Sequence, residues 1–509
     1  MTLFQSLHDH FMRHLTVSVF LICIGGLNAG AASQPASPTP LHEAYDSFRS
    51  DETLRNASWA IYVKDITAGQ PILAHNIHQL LVPASTQKVI TTATVLMMLG
   101  PDYRYETHLE HDGIVDSHGV LRGNLYIRGS GDPTLGSSGM SDTLALDNVY
   151  SRWLEAMHGA GITRVGGHIV ADARIFDDEM VPRHWIWEDI GNYFGAGASG
   201  LTVMENEYTV YFDAGGALGR PATVVATEPL IPGISFVNEV TTDLAGSGDQ
   251  VYIFGAPYVM ERRLTGTVPL GARSFPVRGS MPDPPGFLAE SFRIFLTNRG
   301  IETDGQGSTY RTVASDGIIP SEDRKTISIW QSPPLADIIY RTNITSVNTY
   351  AENLLKIIGQ HAAGEGTREA GLNAVKAFWD ANGANPPIGL MVDGSGLSPV
   401  NRLTAGQLMT VMAAAAQHPT SHTFMNSLPL AGYSGSLSNR LKGTTSEGLL
   451  RAKSGFLTNV LAYTGYTTMQ NGNQAAFVII VNNYDGSPVS MRNKMINLMD
   501  AITQHTGAF

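Results

Sequence analysis

Ser85 and Lys88 stand three positions apart in Pro83-Ala84-Ser85-Thr86-Gln87-Lys88, a spacing that puts a hydroxyl and an amine on one face of a helix. The apolar run 89–99, closed by Gly100-Pro101, extends that helix, with Pro83 at its entry and Ser85 in its first turn. A serine hydroxyl becomes a useful nucleophile when a neighbouring base takes its proton, and lysine serves once its pKa is depressed. An S-x-x-K tetrapeptide alone is weak evidence, because a chain of this length contains it by chance about once or twice, usually on a solvated helix face. Here it occurs once, and so do Ser346-Val347-Asn348 and Lys453-Ser454-Gly455. The three motifs together offer a nucleophile, a base, a second hydroxyl, an amide and a second amine.

The elements that must position these groups are spread along 509 residues, enough for two or three domains. Residues 15–24 are apolar, Arg13 precedes them and Ala29-Gly30-Ala31 follows, so residues 1–31 read as a secretory signal peptide. Its removal takes away Cys23, the only cysteine, and leaves an exported, periplasmic protein without disulfides or a stable membrane span. A net charge of −12 opposes nucleic acid or an anionic membrane as partner. After a Pro-rich linker at 33–40, a helix over 41–54 and a hairpin with strands 59–64 and 71–74 lead to Ser85. Residues 106–128 are β-rich. Helices over 149–157 and 287–297 each end at glycine and lead to a strand, like two copies of one αβ unit. Between them, 182–282 reads as a small all-β insertion. Helical segments follow at 334–341, at 349–358 with a stop at Gly359, at 369–382 and at 404–417, then strands at 449–453, 459–468 and 475–482 and a helix over 490–503. This is an α+β pattern.

The S-x-x-K, S-x-N and K-[ST]-G order resembles the serine penicillin-recognising enzymes. The segments Gly131-Asp132-Pro133-Thr134-Leu135, Asp393-Gly394-Ser395-Gly396-Leu397-Ser398 and Leu428-Pro429-Leu430-Ala431-Gly432 narrow the resemblance to the D-alanyl-D-alanine carboxypeptidase/endopeptidase family of class C penicillin-binding proteins. It implies a β-lactamase-like transpeptidase domain, an antiparallel sheet flanked by helices, over 41–102 and 326–509. An insertion forms an α/β domain over 103–182 and 283–325, with a small β-rich domain over 183–282 nested in it. It further implies that Ser85 attacks the D-Ala-D-Ala bond of a peptidoglycan stem peptide, Lys88 takes its proton, Ser346 protonates the departing amine, and Asn348 and Lys453 orient substrate and proton carriers. Ser454 and Gly455 would line the substrate strand, and the amides of Ser85 and Phe456 would form the oxyanion hole. β-Lactams would trap Ser85 covalently, and neither cofactor nor metal is implied. The carboxypeptidase-to-endopeptidase balance, the third stem residue and the oligomeric state stay open.

Three departures from the family pattern stand out. Ser454 replaces the usual Thr with its hydroxyl kept, Phe456 replaces a Thr or Ser, and Pro399 stands where relatives often carry an Arg that reads a diaminopimelate side chain. Asp172 matches an inserted-domain aspartate of that recognition; a strand-end turn residue is its alternative reading. His108-Leu109-Glu110-His111 lacks zinc-protease spacing and reads as a solvated strand end, and Gly394-Ser395-Gly396 as a tight loop near the site. The alternatives are a β-lactamase or esterase on the same scaffold, or a non-catalytic penicillin-binding sensor or wall-binding protein.

Overall fold

Strand Ser58–Asp65 pairs along its whole length with Gln474–Asn482, more than four hundred residues away, with Ala60 opposite Ile480 and Ile61 opposite Ile479. The computed structural model describes residues 39–384 and 387–507; the expected signal peptide, Cys23 and most of the expected linker lie outside the described residues. The pairing builds an antiparallel five-stranded sheet ordered Gln70–His75, Ser58–Asp65, Gln474–Asn482, Val460–Thr468, Arg451–Leu457. Side chains alternate across it. Ile61, Val63, Phe477, Ile479 and Val481 face helices Pro40–Arg49 and Pro488–Thr503 through Phe48, Met495 and Leu498. Ala60, Ala476, Val478 and Ile480 face the opposite core, with Val89, Ile90, Leu354 and Met412. Helix Lys88–Leu99 is buried on every side from Lys88 to Leu96, as befits the central member of a helical layer.

Residues between these halves form the second body of β-structure. Gly307–Thr309, Ile169–Asp172 and Leu125–Arg128 are parallel neighbours, and Glu106–His111 and Lys325–Gln331 complete the sheet antiparallel. The two αβ units lie side by side. Helices Leu146–Gly159 and Pro284–Thr297 pack through Tyr150, Trp153 and Phe292, and the strands after them pair in parallel at Arg164–Val165 with Glu302–Thr303. Residues 207–280 carry only short strands, in two three-stranded sheets and one two-stranded sheet.

Four local expectations need correction. Ser85 lies in a 3-10 turn, Ala84–Gln87, and the α-helix proper begins at Lys88. Three residues per turn eclipse positions i and i+3, so Ser85 and Lys88 are aligned more directly than on an α-helix. The first helix ends at Arg49, because Asp51 caps a separate 3-10 turn at Glu52–Leu54 through the Thr53 amide. Gly359 does not stop its helix, which runs Asn348–Ala363 and ends before Gly364 at φ +74°. A Cβ on Gly359 would lie 2.6 Å from the amide nitrogen of Gly371, so this glycine lets helix Arg368–Ala381 approach. Finally, His108 to His111 lie in a central strand, where Glu110 is buried and takes hydrogen bonds from Arg128 and Thr326.

Replacing Gly359 by Ala is expected to destabilise the fold by about 1–3 kcal/mol, because only backbone stands in the way and cannot rotate aside. A lowered denaturant midpoint with an unchanged m-value is the measurement that checks it.

Candidate active site

Lys88 is completely buried, and its amine has three oxygen partners. Nζ lies 2.5 Å from Asn348 Oδ1, 2.8 Å from the Ser395 carbonyl and 3.2 Å from Ser85 Oγ. The first two can only accept, so they fix two N–H bonds. The remaining tetrahedral position of Nζ faces the serine hydroxyl, which can either accept from an ammonium or give its proton to a neutral amine. Burial decides which: desolvation pushes the Lys88 pKa down to about 7, against the upward pull of the Asp393 and Glu352 carboxylates. The amine is therefore poised to take the Ser85 proton near neutral pH.

Lys453 supplies the second amine, 2.9 Å from Ser346 Oγ and 2.8 Å from the Ser454 carbonyl. Burial, and then the nearby Lys88, hold its pKa well below the usual lysine range. Ser85, Lys88, Ser346, Asn348 and Lys453 are thus linked through two amine-centred sets of contacts, although they come from a 3-10 turn, a helix start, a helix end and a strand.

The backbone around them is strained or crowded. Ala84, directly before Ser85, has φ +47°, and Ser346 has φ +61° at the end of helix Leu335–Thr345. Left-handed backbone costs a side-chain-bearing residue energy, which the surrounding packing must supply. That packing is close. A Cβ on Gly396 would lie 2.0 Å from the Ala84 carbonyl oxygen, and one on Gly455 would lie 3.0 Å from the Ser85 amide nitrogen. Gly455 therefore lets strand Arg451–Leu457 run against the turn that carries Ser85. Phe456, one residue on, is 54% exposed at the outer surface of that strand, and Ser454 Oγ donates to Ser436 Oγ at 2.8 Å.

A further shell orients the lysine and its partners. Asn348 Nδ2 donates to the Phe194 carbonyl at 2.7 Å, so Oδ1 is the atom that meets Lys88. Asp393 accepts from Gln87, Gly396, Asn401, Ser398 and the Trp185 indole, which closes the Asp-Gly-Ser-Gly loop into one conformation. Glu352 accepts from the amides of Gly394 and Ser395, at 3.0 and 2.8 Å, and so presents the Ser395 carbonyl to Lys88. Burial and the adjacent Asp393 push the Glu352 pKa upward. Sequence reasoning missed Glu352 and the Phe194 carbonyl. The first carried a signal, since Glu352 is four residues from Asn348 on one helix face; the second, a backbone atom in a loop, carried none.

Asp172 is not among these contacts. Its buried carboxylate lies between Arg174 and Arg324, at 2.8 and 2.9 Å, and these guanidiniums hold its pKa down against the effect of burial. Two arginines thus engage this carboxylate, one from the adjacent loop and one from far along the chain.

The arrangement has known counterparts. The fold is that of a penicillin-binding protein: the crystal structure of penicillin binding protein 4 from Haemophilus influenzae matches with a TM-score of 0.75 at 22% identity, covering 89% of this chain and 97% of that one. The chain belongs to the D-Ala-D-Ala carboxypeptidase 3 (S13) family, whose model matches residues 41–505. A D-alanyl-D-alanine carboxypeptidase of Actinomadura sp. (strain R39) is 30% identical over 92% of this chain and 86% of its own length. The D-alanyl-D-alanine carboxypeptidase DacB of Haemophilus influenzae is 24% identical over 86% of this chain and 88% of its own.

The charged groups facing Lys88 are Asp393, Glu352 and Lys453, and two of them favour its protonated form. Glu352→Gln removes one of these, so Lys88 should lose its proton at lower pH. The acidic limb of the Ser85 acylation rate is expected to move to lower pH, checked by timing acylation by a labelled β-lactam across a pH series.

Proposed function

We propose that the chain is a serine-type D-Ala-D-Ala carboxypeptidase that works on peptidoglycan stem peptides outside the cytoplasm, through an acyl-enzyme on Ser85. The observation that carries this reading is the buried Lys88 amine, fixed by Asn348 and Ser395 with its remaining position toward Ser85 Oγ. Ser85 attacks the carbonyl carbon of the D-Ala-D-Ala bond and passes its proton to Lys88. The tetrahedral intermediate collapses, the C–N bond breaks, and Ser346, hydrogen-bonded to Lys453, gives its proton to the departing D-alanine amine and is reprotonated with the proton that Lys88 took from Ser85, which leaves Lys88 neutral for the water step. Water then hydrolyses the ester.

The substrate would lie along strand Arg451–Leu457, where Gly455 leaves the Ser85 amide accessible beside the backbone of Phe456. Those two amides are the donors for the developing oxyanion, each contributing about 3–4 kcal/mol. The Ser454 hydroxyl offers a donor to the terminal carboxylate, and Lys453 holds Ser346 and the Ser454 carbonyl beside it. No cofactor enters these steps. A β-lactam presents a reactive carbonyl and a carboxylate to the same groups, and a structure of the Haemophilus influenzae protein holds one. Cross-link cleavage uses the same chemistry on a peptide whose leaving amine belongs to a second stem, so endopeptidase action is part of the proposal. A penicillin-binding sensor would need the same Ser85–Lys88 pair in order to be acylated, and release of D-alanine is what separates it from the carboxypeptidase.

Three outcomes follow. The chain should release D-alanine from a soluble stem-peptide mimic and form a labelled-penicillin adduct on a gel, and Ser85→Ala should abolish both; release without an adduct, or an adduct that survives Ser85→Ala, would sink the reading. Lys88→Met should slow acylation by about 10²- to 10⁴-fold, the span expected for loss of a general base. Because Lys88 is neutral only above its depressed pKa, kcat/KM should fall as pH drops through about 7, and the acidic limb measured in a pH series checks this.

A further inference from the structure

We infer that a row of three aromatic rings, exposed Trp187 and Tyr252 with the half-buried Phe254 between them, docks the glycan chain from which the substrate peptide hangs; this rests on the reading of the site as a peptidoglycan DD-peptidase. The ring centroids of Trp187 and Phe254 are 6.1 Å apart with planes inclined by 31°, and those of Phe254 and Tyr252 are 6.5 Å apart, inclined by 27°. Trp187 is 57% exposed and Tyr252 46%. Large apolar rings left in water in a contiguous row mark an interaction surface.

The row follows from the backbone. In strand Tyr252–Phe254, Tyr252 and Phe254 share one face, and the fully buried Ile253 fills the core from the other. That strand lies at the edge of its sheet, paired with Glu261–Thr265. Trp187 joins the row because Gly191 sits directly on the strand. A Cβ there would lie 1.8 Å from the Ile253 carbonyl oxygen, and the Ile253 amide donates to Asn192 Oδ1 at 3.1 Å. The platform is therefore fixed before anything binds.

Its position links it to the catalytic cluster. Two residues before Trp187, the Trp185 indole donates to Asp393; seven residues after it, the Phe194 carbonyl takes the hydrogen bond of Asn348. One short segment thus touches the site on both sides of the exposed tryptophan. A stem peptide held on Ser85 is tethered to a sugar chain, and the segment that touches the site also carries the rings offered to that chain. Rings in near-parallel steps suit the apolar faces of successive pyranose rings, and exposed Glu188 beside Trp187 offers acceptors to sugar hydroxyls. A globular protein partner would need a broader surface than one row of rings.

The test compares substrates with and without glycan. In the full chain, Trp187→Ala with Tyr252→Ala should leave kcat/KM on a soluble stem-peptide mimic within about twofold and lower D-alanine release from insoluble peptidoglycan by about fivefold or more, the scale of one or two lost stacking contacts. Independently of turnover, the Ser85→Ala protein should sediment with purified peptidoglycan, and soluble glycan chains stripped of peptide should compete. Equal losses on both substrates, an unchanged rate on the polymer, failure of peptide-free glycan to compete, or sedimentation abolished by stripping residual wall protein would each overturn the inference. Should the unmodified chain release no D-alanine from either substrate, the DD-peptidase reading fails, while sedimentation and competition still decide glycan docking.

Discussion

The structure turns on the removal of one amine from water. An ammonium is costly to bury, and lysine in a closed interior lowers that cost by giving up its proton. The enclosure of Lys88 serves this state: the helix that carries it is buried on all sides from Lys88 to Leu96, and two acceptor oxygens take its N–H bonds. The tension at Ala84 and Ser346 belongs to the same constraint, since both residues must turn abnormally for their neighbours to reach one enclosed point.

Two opposing influences set the balance. Burial drives the proton off, while Asp393 and Glu352 draw it back, so the amine lies near its switching point instead of far to one side. Lys453 adds a third influence, because two amines in one dry pocket disfavour simultaneous protonation. A single proton shared in this pocket costs less than two resident positive charges. The carboxylates have structural work as well. Asp393 fixes the loop whose carbonyl meets Lys88, and Glu352 holds the amides of that same loop, so charge and geometry are adjusted by the same atoms.

Much of the site was legible in the sequence because its chemistry is local: Ser85 and Lys88 lie one turn apart, and three short motifs each occur once. The alternating strands near the C-terminus and the glycine stops at Gly161 and Gly300 were likewise readable, since a period of two and a positive φ are properties of short segments. What stayed hidden depends on distant partners. Gly359 looked like a helix stop because its reason for being glycine, the amide of Gly371, lies on another helix. His108 to His111 looked solvated because polar residues usually are, and the cations that satisfy Glu110 come from Arg128 and Arg324. Asp172 shows the same limit, its charge shared by two arginines, one of them far along the chain.

The long-range pairing of Ser58–Asp65 with Gln474–Asn482 carries one more implication. The turn that carries Ser85 and the strand Arg451–Leu457 that packs against it are separated by several hundred residues of chain. Without Gln474–Asn482, strand Ser58–Asp65 would have one open edge, and without Arg451–Leu457 the Ser85 turn would lose the backbone packed against it. The cluster is therefore assembled only when these remote segments have folded together.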